Sequence, residues 1–359
     1  MNVDGITTDD KVLLSDIQKT SIEDFKKQYA EKFTKDEFPG NYPIRVLHYN
    51  IQESYNHFSE EIEQYLQDSS LSLNQTIDYI IGEYKSPRLC YLPDGSHKTV
   101  ISEPFCSYIW CLSYFLLIHY EYAAQKLSKE AVHPDLIITD RMLSRASKLL
   151  TWGILLDKQL TDWDYISTPS PFPTSGLSDS EPFYCLKANS IFKNAILACL
   201  YHELGHAVTL STLPKSALPD EIKAYENEAD NFMFNTMFKE LGNCNSFGIS
   251  LGITVAYFSI LLKISPKNII GSTHPDADSR IFNMLETLKA YCNSIDDELG
   301  EKLLSSVYFM SIYCFQVYFQ LYNIDPQADG SQRREFDLPE EALSYFFETL
   351  DSIKRMLEV

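Results

Sequence analysis

The stretch ACLYHELGHAVTL, residues 198–210, sets His202 and His206 four residues apart with Glu203 beside the first. On an α-helix positions i and i+4 share a face, so both imidazoles can reach one ion. Zinc takes imidazole nitrogen at about 2.0–2.1 Å in four-coordinate geometry, which leaves places for a third protein ligand and a water. Glu203 sits about 100° round the helix from His202. That angle aims its carboxylate at the water rather than the ion, the position of a general base. The pentapeptide also arises by chance, so it needs company.

The company comes one helix later, in DEIKAYENEADNFMFNTMF. Glu226 and Asp230 are again i and i+4 and share a face, which makes Glu226 the natural third ligand. Asp230, one turn on, can accept a hydrogen bond from the free ring nitrogen of a ligating histidine and so orient it. Glu228 is the rival ligand, but it points to another side of the helix. Nineteen residues separate His206 from Glu226, enough to end one helix, turn through STLPKSALP and return antiparallel. Gly205, with no side chain, lets the returning helix approach the metal face. Phe232 and Met237 supply its apolar stripe.

A third element is GSTHPDADSRIFNML. Pro275 and Asp276 suit the start of a helix, which leaves His274 just outside it and Arg280 near its second turn. Amide hydrolysis passes through an oxyanion that needs a positive or donating group. His274 and Arg280 are the candidates, together with Glu203 as base.

The elements that must hold these residues are mostly helices. Apolar spacing near 3.6 residues predicts them at about 104–127, 141–156, 187–211, 219–241, 246–264, 276–293, 299–322 and 338–357, with earlier ones at 12–34 and 52–70. Ile51, Tyr55, Phe58, Ile62 and Leu66 form one stripe. RLCYLPDGSHKTVIS reads as a hairpin turning at Pro93-Asp94-Gly95, and DLIITD (135–140) as a further strand. Residues 36–43 form a loop, and 161–184 a long Pro- and Ser-rich one placed to act as a lid or cleft wall. The fold class expected is α+β, predominantly helical, with a small N-terminal β portion. An N-terminal α+β portion, 1–160, packs as one unit with a helical portion, 161–359.

Bulk composition removes several function classes. The 359 residues carry a net charge of −20, which disfavours nucleic acid, since phosphate contacts need clustered Lys and Arg. The apolar runs at 104–120, 248–263 and 303–322 are short or broken by Ser107, Ser113, Ser305 and Gln316, so they read as core helices and no membrane partner is expected. No secretory signal is visible at the N-terminus. Eight cysteines without a CxxC pair read as buried, reduced thiols, which points to the cytoplasm. His48, His57, His97, His119 and His133 stand singly and read as packing or surface residues.

HELGH followed by Glu226-Asn227-Glu228-Ala229-Asp230 resembles the gluzincin metallopeptidases. His274-Pro275 through Arg280 resembles the THPxxxxR element of the membrane CaaX-type and heat-shock metalloproteases, whose spanning helices this chain lacks. The motif resemblance covers residues 187–282. With an IWCLSYFLL-like helix ahead of the HExxH helix, the chain is similar to the phage-exclusion peptidases of the Lit type. That resemblance implies a zincin-like core with one Zn²⁺. It also implies a site-specific endopeptidase that disables a host translation factor after phage infection, with a protein or peptide as substrate. Unrestrained proteolysis would harm the host, so the 161–184 loop is expected to cover the cleft until a regulatory protein partner binds. The competing expectation is a metal-containing sensor whose N-terminal part binds a partner.

Overall fold

In a computed structural model of the chain, residues 43–48, 50–56, 73–91, 96–127, 136–164, 169–171, 180–210, 218–239, 246–271, 275–295, 297–325 and 336–357 are described. A three-stranded sheet comes first: β1 (Leu73–Ile80), β2 (Arg88–Tyr91) and β3 (His97–Ser102). Their order is β1-β3-β2, with β3 parallel to β1 and antiparallel to β2. The expected hairpin is present, with Arg88 opposite Val100 and Tyr91 opposite His97. β1 was not expected. The strand foreseen at 135–140 is not formed over its described part, residues 136–140, the last of which begins a helix. There Gln125 bonds Leu136 O and Ile138 N, and Tyr184 Oη donates to Leu136 O, so side chains satisfy the backbone in place of a ladder.

Eight long helices follow among the described residues: α1 (Glu103–Leu127), α2 (Asp140–Leu155), α3 (Glu181–Leu210), α4 (Pro219–Lys239), α5 (Ser246–Leu261), α6 (Ala277–Cys292), α7 (Asp297–Leu321) and α8 (Pro339–Leu357). The chain is thus α+β and predominantly helical, as its periodicity predicts. No described helix is long and apolar enough to cross a membrane. The stripe foreseen from Ile51 is described at Ile51 and Tyr55, both fully buried. Its other members, and the helix expected at 12–34, lie outside the described residues.

α3 is the central element, packed on α1, α4 and α5. It starts at Glu181 rather than near 187, because Pro182 takes a first-turn position where its missing N–H costs nothing. At that end Glu181, fully buried, is paired with Arg145 of α2 at 2.5 Å and receives the Tyr114 hydroxyl of α1 at 3.4 Å. α5 is apolar on nearly every side, which suits a helix enclosed all round. A Cβ at its Gly252 would stand 2.6 Å from Asn194 Cβ and 2.8 Å from Ala195 N, so only glycine permits this approach to α3.

The sheet backs the HExxH end of α3. Tyr55 bonds Thr99 of β3 at 3.2 Å and stacks on Tyr201, the residue before His202. β2 also packs on α3. The described parts of the 161–184 loop go elsewhere: Trp163 packs on Trp110 and Trp152, and Pro171 O accepts from Asn189. Asn189 is thirteen residues before His202, about 20 Å along the helix. The described cysteines, including Cys106, Cys111, Cys185 and Cys314 in the core, are free thiols.

Candidate metal centre

α3 and α4 pack on one another, with Gly205 at a point of close approach. A Cβ there would lie 2.9 Å from Ala229 Cα and 3.0 Å from Ala229 O. This contact brings Glu226, one turn before Ala229, opposite the two histidines. His202 Nε2 and His206 Nε2 are 3.0 Å apart. Glu226 Oε2 is 3.4 Å from the first and Oε1 is 3.3 Å from the second. The ligand atoms of the three residues all lie within 4.8 Å of one another, the one such grouping among the described residues. Glu228 is exposed, while Glu226 is buried against the two histidines.

The two His–Glu separations match a tetrahedral ion, which with bonds of about 2.0–2.1 Å holds its ligand atoms roughly 3.3–3.4 Å apart, and the two histidine nitrogens lie slightly closer than that. The donor set of two imidazole nitrogens and a carboxylate is one that zinc accepts. The cluster can therefore hold a metal ion.

Around it lies a chain of supports. Asp230 Oδ1 is 2.8 Å from His202 Nδ1, so that nitrogen carries the donated proton and Nε2 keeps its lone pair for the cluster. Arg280 of α6 grips Asp230 with two bonds, Nη2 to Oδ1 at 2.6 Å and Nε to Oδ2 at 3.0 Å. Its Nη1 is 3.6 Å from Glu226 Oε2. Arg280 is only 8% exposed, and Tyr257 of α5 lies under the guanidinium at 5.4 Å.

The electrostatics follow from burial and pairing. Burial works to lower the His202 pKa, but its bonds to Asp230 and Glu226 prevail and raise it. Burial works to raise the carboxyls of Glu226 and Asp230. The bonded histidines, with Arg280 for Asp230, hold both below the usual range. Glu203 differs: burial pushes its pKa up, and His202 and His206 pull it back only in part. The Arg280 guanidinium is buried, yet Asp230 holds it firmly charged. So the Glu226 and Asp230 carboxylates are held as anions facing the histidines, while the Glu203 carboxyl is shifted the other way.

A family model for Peptidase U49 matches residues 100–301, more than half of the chain. The chain belongs to the peptidase U49 family. This is the phage-exclusion, Lit-type family that its motifs resemble. The match runs from β3 into α7 and takes in α3, α4 and α6, the helices that supply the whole cluster. No curated protein and no solved structure matches this U49 chain.

Of the residues singled out by sequence, the structure gathers His202, His206, Glu226, Asp230 and Arg280 at one place, with Glu203 beside them. His274 lies outside the described residues. Arg280 is engaged by the carboxylates of Asp230 and Glu226. Tyr257 was not foreseen. It sits in an apolar helix where an aromatic reads as core, and only the fold reveals its cation.

Proposed function

We propose that this U49-family chain is a zinc-dependent endopeptidase that hydrolyses a specific protein substrate in the cytoplasm, in an anti-phage or toxin-like role. The observation that carries this reading is the convergence of His202 Nε2, His206 Nε2 and a Glu226 carboxylate oxygen, with Glu203 next in line on the same helix. His202, His206 and Glu226 hold the ion. When bound, zinc supplies a Lewis acid for the scissile carbonyl and makes water a stronger acid.

Glu203 takes a proton from the attacking water as the carbon–oxygen bond forms. It then delivers that proton to the departing amine as the carbon–nitrogen bond breaks, so one water is consumed and two termini appear. Its raised pKa supports a carboxyl able to keep the proton between the two steps. Asp230 orients His202. Arg280, held by Asp230 and Glu226, supports that pair, a holding role in place of the oxyanion contact its charge first suggested. His274 is the remaining candidate donor to the oxyanion.

The substrate chain adds to β2, an outer strand of the sheet that packs on α3. The 161–184 loop is the less favoured track, because its Pro171 is anchored at Asn189, about 20 Å along α3 from His202. Residues 1–160 and 161–359 act as one unit, a reading supported by Tyr55 on Tyr201 and by α1 on α3. The net charge of −20 favours basic or neutral protein partners, a regulatory partner included, over nucleic acid.

The test compares cells expressing the wild-type chain with cells expressing Glu203→Gln. New protein termini that appear only with the wild type are expected. Identical sets of termini would sink the reading.

A further inference from the structure

α6 carries Arg280, yet its own first turn is held from the far end of the chain. Lys354 of α8 places Nζ 2.6 Å from Asp278 Oδ2 and 2.9 Å from Asp276 Oδ2. Asp278 is 3% exposed, and its Oδ1 meets no donor among the described residues. The ammonium is therefore the main charge answering a buried carboxylate. Asp276 is the N-cap of α6, but its side chain does not cap its own helix. It reaches back to accept the Gly271 N–H at 2.8 Å, while its carbonyl accepts the Arg280 N–H at 3.0 Å. Burial would lower the Lys354 pKa, but the bonds to Asp278 and Asp276 raise it, so the clamp stays charged.

From these contacts we infer that Lys354 is a positioning residue for the metal centre. It locks the start of α6, which fixes Arg280 on Asp230 and thereby fixes the ring of His202. This goes beyond the peptidase reading, although its metal-affinity readout rests on that reading. The physical argument is one of rigid transmission over a short path. Asp276 and Arg280 are one helical turn apart, joined by a backbone hydrogen bond. Arg280 holds Asp230 with a two-bond fork that tolerates little displacement. With Lys354 gone, two carboxylates are left close together at one helix start, and the turn must rearrange to hydrate them. Lys354 lies outside the stretch matched by the family model, which ends at residue 301, whereas Asp276, Asp278 and Arg280 lie within it.

The experiment uses full-length protein carrying Lys354→Met or Lys354→Arg, each also combined with Arg280→Met. Zinc affinity is read by competition with a chromophoric chelator. The Arg280 Nε–H signal is read by NMR in metal-free, arginine-labelled protein. Lys354→Met is expected to weaken zinc binding by about 10-fold or more, the scale of lost ligand support, and to lose the protected Arg280 signal. Lys354→Arg should restore both.

In the Arg280→Met background, Lys354→Met should change zinc affinity less than about twofold, since coupled sites are non-additive. A merely structural lysine would give equal losses in both backgrounds, and that result overturns the inference. So does an unchanged affinity in Lys354→Met. If the wild type itself binds no zinc, the metal reading fails. The Arg280 signal then still decides: loss in Lys354→Met supports positioning, and persistence refutes it. Should Lys354→Met not fold, Asp276→Asn opens the same clamp at its more exposed side and is read in the same way.

Discussion

Gly205→Ala adds one methyl group where α3 and α4 touch. In an open helix the change would stabilise the chain, because alanine is favoured over glycine by about 1 kcal/mol. Here the new Cβ would meet Ala229 Cα at 2.9 Å, Ala229 O at 3.0 Å and Phe232 Cβ at 3.2 Å. Carbon contacts settle at about 3.5–4.0 Å, so α4 must retreat by roughly 0.5–1 Å. Two of the opposing atoms are backbone, so no side-chain rotation relieves the contact. Overpacking of this kind costs about 1–3 kcal/mol, which outweighs the propensity gain.

Glu226 rides on the same helix three residues earlier, and a metal site tolerates ligand displacements of only about 0.2 Å. Zinc affinity should therefore fall by about 10–100-fold, or about 1.4–2.7 kcal/mol. The assay is chelator competition for zinc beside thermal unfolding of the metal-free protein. Gly153→Ala is the control. Its Cβ would lie 3.0 Å from Cys111 Cβ, in the contact of α2 with α1, so it should lose stability without losing zinc. A folded Gly205→Ala protein that binds zinc within about twofold of wild type would refute the reasoning.

Two further outcomes follow from the contacts around the site and the core. Asp230→Asn removes the carboxylate that holds both His202 and Arg280. Zinc affinity measured by the same competition should drop about 10–100-fold, with the cluster residues themselves untouched. His119 is packed against Phe115 and Tyr313, and burial pushes its pKa from 6.5 down to about 4. Between those values the unfolded chain binds a proton that the folded chain does not. The stabilisation from a neutral His119 is thus complete above about pH 6.5 and is lost as pH falls toward 4, by up to about 3 kcal/mol. Urea unfolding across that window should show His119→Phe with a flatter acid limb than wild type, and parallel limbs would contradict the assignment.

Much of the site was legible because its parts are local. HELGH and Glu226…Asp230 each lie within five residues on one helix, so spacing alone places their side chains on a face. Gly205 was legible as a contact for the same reason. Most helix boundaries followed from apolar periodicity, which is strong in amphipathic helices such as α2 and α8. What stayed hidden depends on partners distant in sequence. β1 is a strand because it pairs with β3 and because Gln52 accepts the Ile77 N–H, and neither fact shows in LNQTIDYI. Residues 136–139 look like a strand by composition, yet Gln125 and Tyr184 satisfy their backbone. Lys354 reads as one more charge on a surface helix until the fold sets it between Asp276 and Asp278.

The central claim is that His202, His206 and Glu226 make one zinc site served by Glu203. The measurement that tests it most directly is metal content of purified full-length protein after exhaustive dialysis against zinc-buffered solution. One zinc per chain is expected in the wild type and in Glu203→Gln, with loss of the bound zinc in Glu226→Ala. A wild-type protein that retains no zinc, or a Glu226→Ala protein that retains it fully, would contradict the account.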